Sequence, residues 1–467
     1  MKTSRRDFLV STGLSAVGLM AANTLRGASA PAATAGKGGT GLGSGAQKFN
    51  MCGYGAPKLE RIRVGMVGIG SRGSGAVNRL KHIENLDIVA LCDIRPERAA
   101  EGLKRLEGTR HKPITIAGKA ESWKEMCARD DIDVIYNTTP WALHAPISVF
   151  AMEHGKHAFS EIPAAVTMEE CWQLVETSER TKKHYMMLEN CCYDFFELMT
   201  LNMAQQGFFG EVIHGEGAYL HDLISLSFSK TGYRDMWRLK ENMKRNGNLY
   251  PMHGLGPIAQ IMNINRGDRF DYLVSVQSND FTTRAEADRL AATDPFYAEF
   301  AGKNYRGNMN STTVRTEKGK TILVQHDISS PRPYSRLHTI VGTKATAQKY
   351  PEPARISDGK HKWLNADQLK ELEKKYTFDL VKHIGETAKK VGGHGGMDFM
   401  MDWRWATLLR NGLPLDMDVY DGAAWTAVGL LSEKSVANRS ASVDIPDFTR
   451  GAYKKNKPVD LSLKQTV

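Results

Sequence analysis

Residues 61–80 read RIRVGMVGIGSRGSGAVNRL, and residues 86–99 read LDIVALCDIRPERA. The first stretch opens with an apolar run, Val64 to Val67, passes through Gly68-x-Gly70-x-x-Gly73, and continues with helix-compatible residues. The second runs from Asp87 to Cys92 and ends at Asp93, 20 residues after Gly73. Strand, glycine turn, helix, strand and terminal acid, in that order, make a dinucleotide-binding βαβ unit. Gly68 permits the tight turn, Gly70 lets the backbone approach a pyrophosphate, and the helix N-terminus offers free N–H groups to phosphates. Asp93 can accept ribose hydroxyls and would repel a 2′-phosphate, which favours NAD, while nearby Arg95 keeps NADP open.

The same alternation continues outward. DIDVIYNTTP gives a buried strand, Val134 to Asn137, that breaks at Pro140, and ALHAPISVFAMEHG a helix closing at Gly155. HAFSEIPAAV is the next strand, MEECWQLVETSERTKKH a helix with an apolar stripe, and YMMLEN ends the series at Asn190. Short buried strands alternating with helices predict a doubly wound parallel sheet. Ligands of such sheets lie beyond the carboxyl ends of the strands, where Thr139, Trp141, His144, Glu161 and Asn190 fall.

From Cys191 the pattern changes. A helix is expected from Asp194 to Gln206, stopping at Gly207. EVIHGEGAYL, FDYLVSVQSN, STTVRTEKG, KTILVQHDIS and LHTIVGTKA then read as strands of an antiparallel sheet with one covered face. The fold class is α/β, an N-terminal Rossmann doubly wound parallel sheet followed by a C-terminal α+β domain with a large, mostly antiparallel sheet. The expected boundaries are 58–190 and 191–467. Between the strands, NGNLYPMHGLGP (246–257) carries too much Gly and Pro for a regular element and is expected to be loop, although it bears Tyr250 and His253.

The chain has 467 residues and a formal charge of +10, more than half of which comes from its two ends. No basic run with interleaved aromatics remains, so no nucleic-acid partner is expected. SRRDFLVSTGLSAVGLMAANTLRGASA pairs Arg5 and Arg6 ahead of an apolar run, Phe8 to Ala22, shorter than the ~20 residues of a membrane helix. It resembles a twin-arginine export signal over residues 1–30, which implies a periplasmic protein without a membrane anchor. Residues 31–57 follow as a linker, with an Ala/Gly/Ser/Thr-rich flexible part over 31–50. The six cysteines form no C-x-x-C pair and are expected to be small buried apolar residues. His221-Asp222 and His394 to Asp398 lack the ligand count and spacing of a closed metal site, and no metal is expected.

SEIPAAV within a Rossmann half resembles the glucose–fructose oxidoreductase/inositol dehydrogenase superfamily. NMCGYGAPKLERIRVG, GEGAYLHDL, NGNLYPMHGLGP, RPYS and GHGGMDF resemble, more narrowly, glycoside hydrolase family 109, whose activity is an NAD-dependent α-N-acetylgalactosaminidase. The superfamily's Glu-Lys-Pro motif stands here as Glu161-Ile162-Pro163, so the dehydrogenase lysine is missing. The resemblance implies tightly bound, recycled NAD, held by Ser71, Arg72, Asp93, Trp141 to His144, Glu161, Ile162 and Asn190. The family's aromatic-rich W-x-W-H reads Trp141-Ala142-Leu143-His144 here.

The resemblance also assigns substrate contacts to Tyr219, Arg238, Tyr250, Pro251, Met252, His253 and Tyr334. His253 is the first choice for acid/base work, with Tyr250 beside it and Tyr193 as a further proton-transfer candidate. The implied partner is a small glycoside or glycan terminus, and superfamily members often pair through the free face of the second sheet. A plain NAD(P)-dependent sugar dehydrogenase is the alternative.

Overall fold

Val64, Met66 and Val67 have almost no solvent exposure, as an unalternating apolar run requires when helices cover both faces of a sheet. The computed structural model describes Gly43 and residues 45–463. The export signal expected at 1–30 lies outside the described residues, as does most of 31–44. Residues 45–57, read as the end of a linker, instead lie against the body. Met51 and Ala56 are buried, Lys48 N–H donates to Glu179, and Met51 N–H donates to the Tyr420 hydroxyl.

Six strands form a wholly parallel sheet: β1 (Ile62–Val67), β2 (Leu86–Asp93), β3 (Ile114–Ala117), β4 (Val134–Asn137), β5 (His157–Ser160) and β6 (Tyr185–Met187). Their order, β3-β2-β1-β4-β5-β6, places the switch in winding direction between β1 and β4. β3 was not legible in the sequence, because an edge strand with Ile114 and Thr115 exposed lacks a buried run. The Met168–Thr181 helix starts where Thr167 and Glu170 form a reciprocal capping box.

Helices from the chain's end complete this layer. The Met397–Asn411 helix is buried along almost its whole length. Its Asp402 accepts from Arg79 Nε at 2.8 Å and from the Tyr136 hydroxyl at 3.0 Å, tying it to the helix after the glycine turn and to β4. The Val419–Ala437 helix packs on β6 and on the Met168–Thr181 helix.

The second sheet holds β7 (Val212–Leu220), β8 (Phe270–Gln277), β9 (Asn310–Thr316), β10 (Thr321–Asp327), β11 (Thr339–Gly342), β12 (Thr346–Gln348), β13 (Arg355–Ser357) and β14 (Val443–Asp444). The order is β13-β12-β11-β7-β10-β9-β8-β14, antiparallel except for the β7–β10 pair. Val314, Ile322 and Val324 are buried on its covered face, whereas Thr313, Leu323 and Gln325 alternate to the other.

One expectation needs correction. The stretch 246–257 is loop only as far as Pro251, and a helix runs from Met252 to Ile261 through Gly254, Gly256 and Pro257. The reason is packing against β7. A Cβ added to Gly217 would lie 2.4 Å from the Gly254 carbonyl oxygen, and one added to Gly254 would lie 2.1 Å from the Ala218 nitrogen. Glycine is therefore demanded by close backbone approach, and burial outweighs its poor helix propensity. Pro257 removes one internal hydrogen bond, the one to the His253 carbonyl.

Among the described residues no helix is long and apolar enough to cross a membrane.

Candidate active site

The glycine turn after β1 is shaped as a phosphate seat. Gly68 has φ 86°, a conformation that favours glycine, and a Cβ at Gly73 would strike the Gly68 carbonyl oxygen at 1.9 Å. A Cβ at Gly70 meets nothing within 4 Å. Gly70 precedes the Ser71–Leu80 helix, whose first turn has neither a side-chain cap nor an acid, and Ser71 is exposed. The helix thus presents free N–H groups and positive dipole to open space. Asp93 braces the turn, Oδ2 accepting from Ile69 N–H at 2.7 Å and Oδ1 from Arg95 N–H at 2.8 Å. Each oxygen keeps a lone pair for a ribose hydroxyl. An open cradle, an uncapped helix start and a strand-end carboxylate fit a nicotinamide dinucleotide.

Arg72 leads from this cradle into a network of buried charges. Its guanidinium donates to Glu161 Oε1 at 2.5 Å and to Asp398 Oδ2 at 2.8 Å. Asp398 also accepts from Asn190 Nδ2 at 2.5 Å and lies 2.9 Å from His394 Nδ1. Burial would raise the Asp398 carboxyl, but Arg72, His394 and Arg79 together hold it well below the usual carboxylate range. Ile162 is buried and offers no polar group. Both nitrogens of His144 face backbone carbonyls, Pro163 at 2.6 Å and Thr139 at 2.7 Å, so its role is to brace the turns after β4 and β5.

Tyr250 forms the centre of a second cluster. Its ring stacks 5.8 Å from Trp141 and lies 5.0 Å from Tyr219 and 5.1 Å from His253, with the Arg238 guanidinium 4.7 Å from its centroid. Burial raises the Tyr250 phenol well above its ordinary value despite the cation beside it. Arg238 also covers Trp141 and Tyr233 and donates Nη1 to the Tyr233 hydroxyl at 2.9 Å. Its Nε and Nη2 are buried without a hydrogen-bond partner among the described residues. Tyr219 reaches His221 Nδ1 at 3.2 Å, and the Tyr334 ring lies 5.1 Å from His221 while its hydroxyl accepts from Arg336 Nη1 at 3.2 Å. Pro251 precedes the helix and Met252 is buried, so these two shape the site without polar contact.

His253 hangs from the first turn of its helix. Its Nδ1 lies 2.8 Å from Glu189 Oε1 and 3.2 Å from Cys191 Sγ. Glu189 has no solvent exposure, and its Oε1 also accepts Cys191 N–H at 2.9 Å. A carboxylate at Nδ1 places the proton there and leaves Nε2 as the working nitrogen. Glu189, Cys191 and His253 are also the one group among the described residues whose donor atoms, within 4.8 Å of one another, could meet a metal. Their contacts have hydrogen-bond lengths, which accounts for the set without an ion.

Tyr250, His253, Tyr219, Arg238, Tyr334 and Trp141 therefore converge, while Arg72, Glu161 and Asn190 join the adjoining charged network. Tyr193 does not join either group. It is buried, and its hydroxyl donates at 3.0 Å to Asp416, which Arg404 holds at 2.9 Å. The sequence did not single out Glu189 or Cys191 as site residues, and it presented His394 and Asp398 as a rejected metal motif and as part of the GHGGMDF resemblance. A charged residue inside the apolar run MMLENCC was the available signal for Glu189.

Comparison with known proteins agrees with the two-part fold. Residues 62–189 match the oxidoreductase family with an NAD-binding Rossmann fold, and residues 193–455 match the glycosyl hydrolase 109 C-terminal domain. The chain is 47% identical over 429 residues to a glycosyl hydrolase family 109 protein 1 of Bacteroides fragilis, covering 87% of this chain and 89% of that protein. It is 45% identical over 472 residues to a Shewanella oneidensis protein named alpha-N-acetylgalactosaminidase, covering 98% of each. Levoglucosan dehydrogenase, solved with NADH and L-sorbose, shares the fold at TM-score 0.64 and 18% identity, over 83% of this chain and all of that one. An NAD-binding Rossmann half joined to this C-terminal half, and relatives matched nearly end to end, place the chain in glycosyl hydrolase family 109, as a glycoside hydrolase.

Proposed function

We propose that this glycoside hydrolase removes terminal α-N-acetylgalactosaminyl residues by oxidation, elimination, addition and reduction on a tightly held NAD. One observation carries the reading: proton-handling side chains converge beside the dinucleotide cradle, and the buried carboxylates of Glu161, Asp398 and Glu189 are already engaged. Glu161 and Asp398 bind Arg72, and Glu189 binds His253. A glycosidase of the usual kind needs two free carboxyl groups across the scissile bond, and NAD-dependent enzymes are the known exception.

When bound, the nicotinamide supplies reversible oxidation at C3 of the sugar, which acidifies the C2 proton and lets the C1 substituent leave. His253 Nε2 takes the proton of the ring hydroxyl, releases it to solvent and then takes the C2 proton, and Glu189 stabilises the imidazolium formed each time. The Tyr250 hydroxyl hydrogen-bonds the same region. The unpartnered Nε and Nη2 of Arg238 meet the oxygen on which negative charge develops. Water adds at C1 and the oxidation is reversed, so the net change is hydrolysis. The name of the Shewanella relative supports the choice of sugar. The same reading takes the protein as exported already folded and loaded, and its partner as a glycan terminus.

The test mixes purified protein with nitrophenyl α-N-acetylgalactosaminide without added NAD, in D2O. Nitrophenol release, no net NADH and deuterium at C2 of the product are expected. Stoichiometric NADH would instead make the protein a sugar dehydrogenase, and an unlabelled product would remove the elimination route.

A further inference from the structure

The segment Glu189-Asn190-Cys191, just after β6, touches two imidazoles. Glu189 Oε1 and Cys191 Sγ approach His253 Nδ1 at 2.8 and 3.2 Å. Asn190 Nδ2 approaches His394 Nδ1 at 3.5 Å, and the same amide donates to Asp398, whose Oδ2 is 2.9 Å from His394 Nδ1. The site thus holds a second carboxylate–imidazole pair beside the first. The two share a design: the carboxylate is buried, Asp398 at 1% and Glu189 at 0% side-chain exposure. The carboxylate favours a proton on Nδ1 in each pair, Arg72 Nη1 also lies 3.3 Å from His394 Nδ1, and Nε2 has no partner among the described residues. Their surroundings differ, since the His253 side chain is 15% exposed and the His394 side chain 60%.

His253 borders the sugar-binding cluster through Tyr219 and Tyr250, and His394 is joined to it through Asn190, the neighbour of Cys191. His221, which bonds Tyr219, is lowered by burial first and Arg238 second, and it also feels the charges of His253 and His394. His394 is the central residue of a turn, Gly392 to Gly396, in which all five residues have positive φ; its own φ is 46°. A non-glycine residue in that region is held there by its contacts.

We propose that His394, oriented by Asp398, is the proton donor to the leaving oxygen at C1, and that it deprotonates the water that later adds there. The inference rests on the elimination reading above. That chemistry needs proton transfer at the ring hydroxyl and at C2, which are buried with the sugar, and at the glycosidic oxygen, which faces the departing aglycone. The enclosed imidazole suits the first two and the solvent-facing one the last. As the C1–O bond breaks, the Nε2 proton of the His394 imidazolium passes to the oxygen, leaving neutral imidazole beside Asp398. That nitrogen then takes a proton from water as its oxygen bonds to C1, restoring the imidazolium.

The test uses His394→Gly, because glycine accepts φ 46° without strain. Wild type and variant are compared on nitrophenyl and methyl α-N-acetylgalactosaminides, with bound dinucleotide quantified after denaturation. Deuterium uptake at C2 of free N-acetylgalactosamine reads the ring chemistry without any leaving group. Methyl glycoside cleavage is expected to fall about 10²- to 10⁴-fold and nitrophenyl cleavage less than about tenfold, since nitrophenolate needs little protonation. Added imidazole should restore part of the methyl glycoside activity. Equal losses on both glycosides, or loss of the bound dinucleotide, would overturn the assignment. Failure of the wild type to take up deuterium would sink the elimination reading instead, and the leaving-group ratio would still judge His394.

Discussion

Oε1 of Glu189 meets Nδ1 of His253 at 2.8 Å, and the other carboxylate oxygen of Glu189 is buried with no hydrogen-bond partner among the described residues. A buried anion in that state is costly unless it serves the imidazole, which it orients and whose positive charge it stabilises. Glu189→Gln keeps the volume and removes the charge. Steady-state kinetics should show kcat lower by about 10²- to 10⁴-fold with KM changed little. An unchanged kcat would remove Glu189 from proton transfer.

Gly70 and Gly73 should separate binding from folding. Gly73→Ala drives a methyl group into the Gly68 carbonyl, and overpacking of this kind costs about 1–3 kcal/mol. Gly70→Ala meets no protein atom, and its φ of −73° suits alanine. Thermal melts should therefore show Gly73→Ala destabilised and Gly70→Ala intact. The absorbance of released dinucleotide should show both depleted. A Gly70→Ala protein with full cofactor content would move the phosphate seat elsewhere.

Arg238 is a buried cation with no carboxylate against it among the described residues, stacked among the rings of Trp141, Tyr233 and Tyr250. Such a group lowers stability, so its retention points to ligand contact. Arg238→Met should raise the melting temperature, by about 1 kcal/mol or more in stability, while kcat/KM falls at least about 10²-fold. A variant that melts lower and stays active would contradict both halves of the expectation.

Glu197 gives the fold a pH signature. It lies wholly buried, 2.6 Å from Arg336, in a cluster with Asp194 and Lys349. Burial first, and Asp194 second, outweigh Arg336 and Lys349 and push its carboxyl from 4.5 up to about 7. Between those values the native state keeps a proton that the unfolded chain has lost, so stability falls as pH rises through the window and levels off above it. Glu197→Gln is neutral throughout. Its melting temperature relative to wild type should climb from pH 5 to pH 8, and a constant offset would reject the assignment.

What could be read from the sequence followed from burial. β1, β2 and β4 are enclosed on both sides and announce themselves as continuous apolar runs, whereas β3 at the edge does not. Tyr250 and His253 were recognisable, but their setting was not: local Gly and Pro argued for loop, and only the contact with β7 makes a helix of Met252–Ile261. The partners of the two histidines were hidden by separation along the chain. Glu189 meets His253 across 64 residues and Asn190 meets Asp398 across 208, distances over which no spacing rule operates. Tyr193, close to both in sequence, turns away because Asp416 and Arg404 offer its hydroxyl a buried bond.

The crossing of Gly254 over Gly217 and Ala218 is peptide against peptide, with no side chain between. The height of the His253 imidazole above the sheet is therefore set by bond lengths and van der Waals radii that mutation cannot alter while both glycines stay. Tyr219, one residue beyond Ala218 on β7, is held by the same seam from the sheet side, whereas Arg238 and Tyr334 sit on no such seam. On the proposed reading, drift at those two would retune which sugar is held, while the imidazole assigned to proton transfer keeps its place.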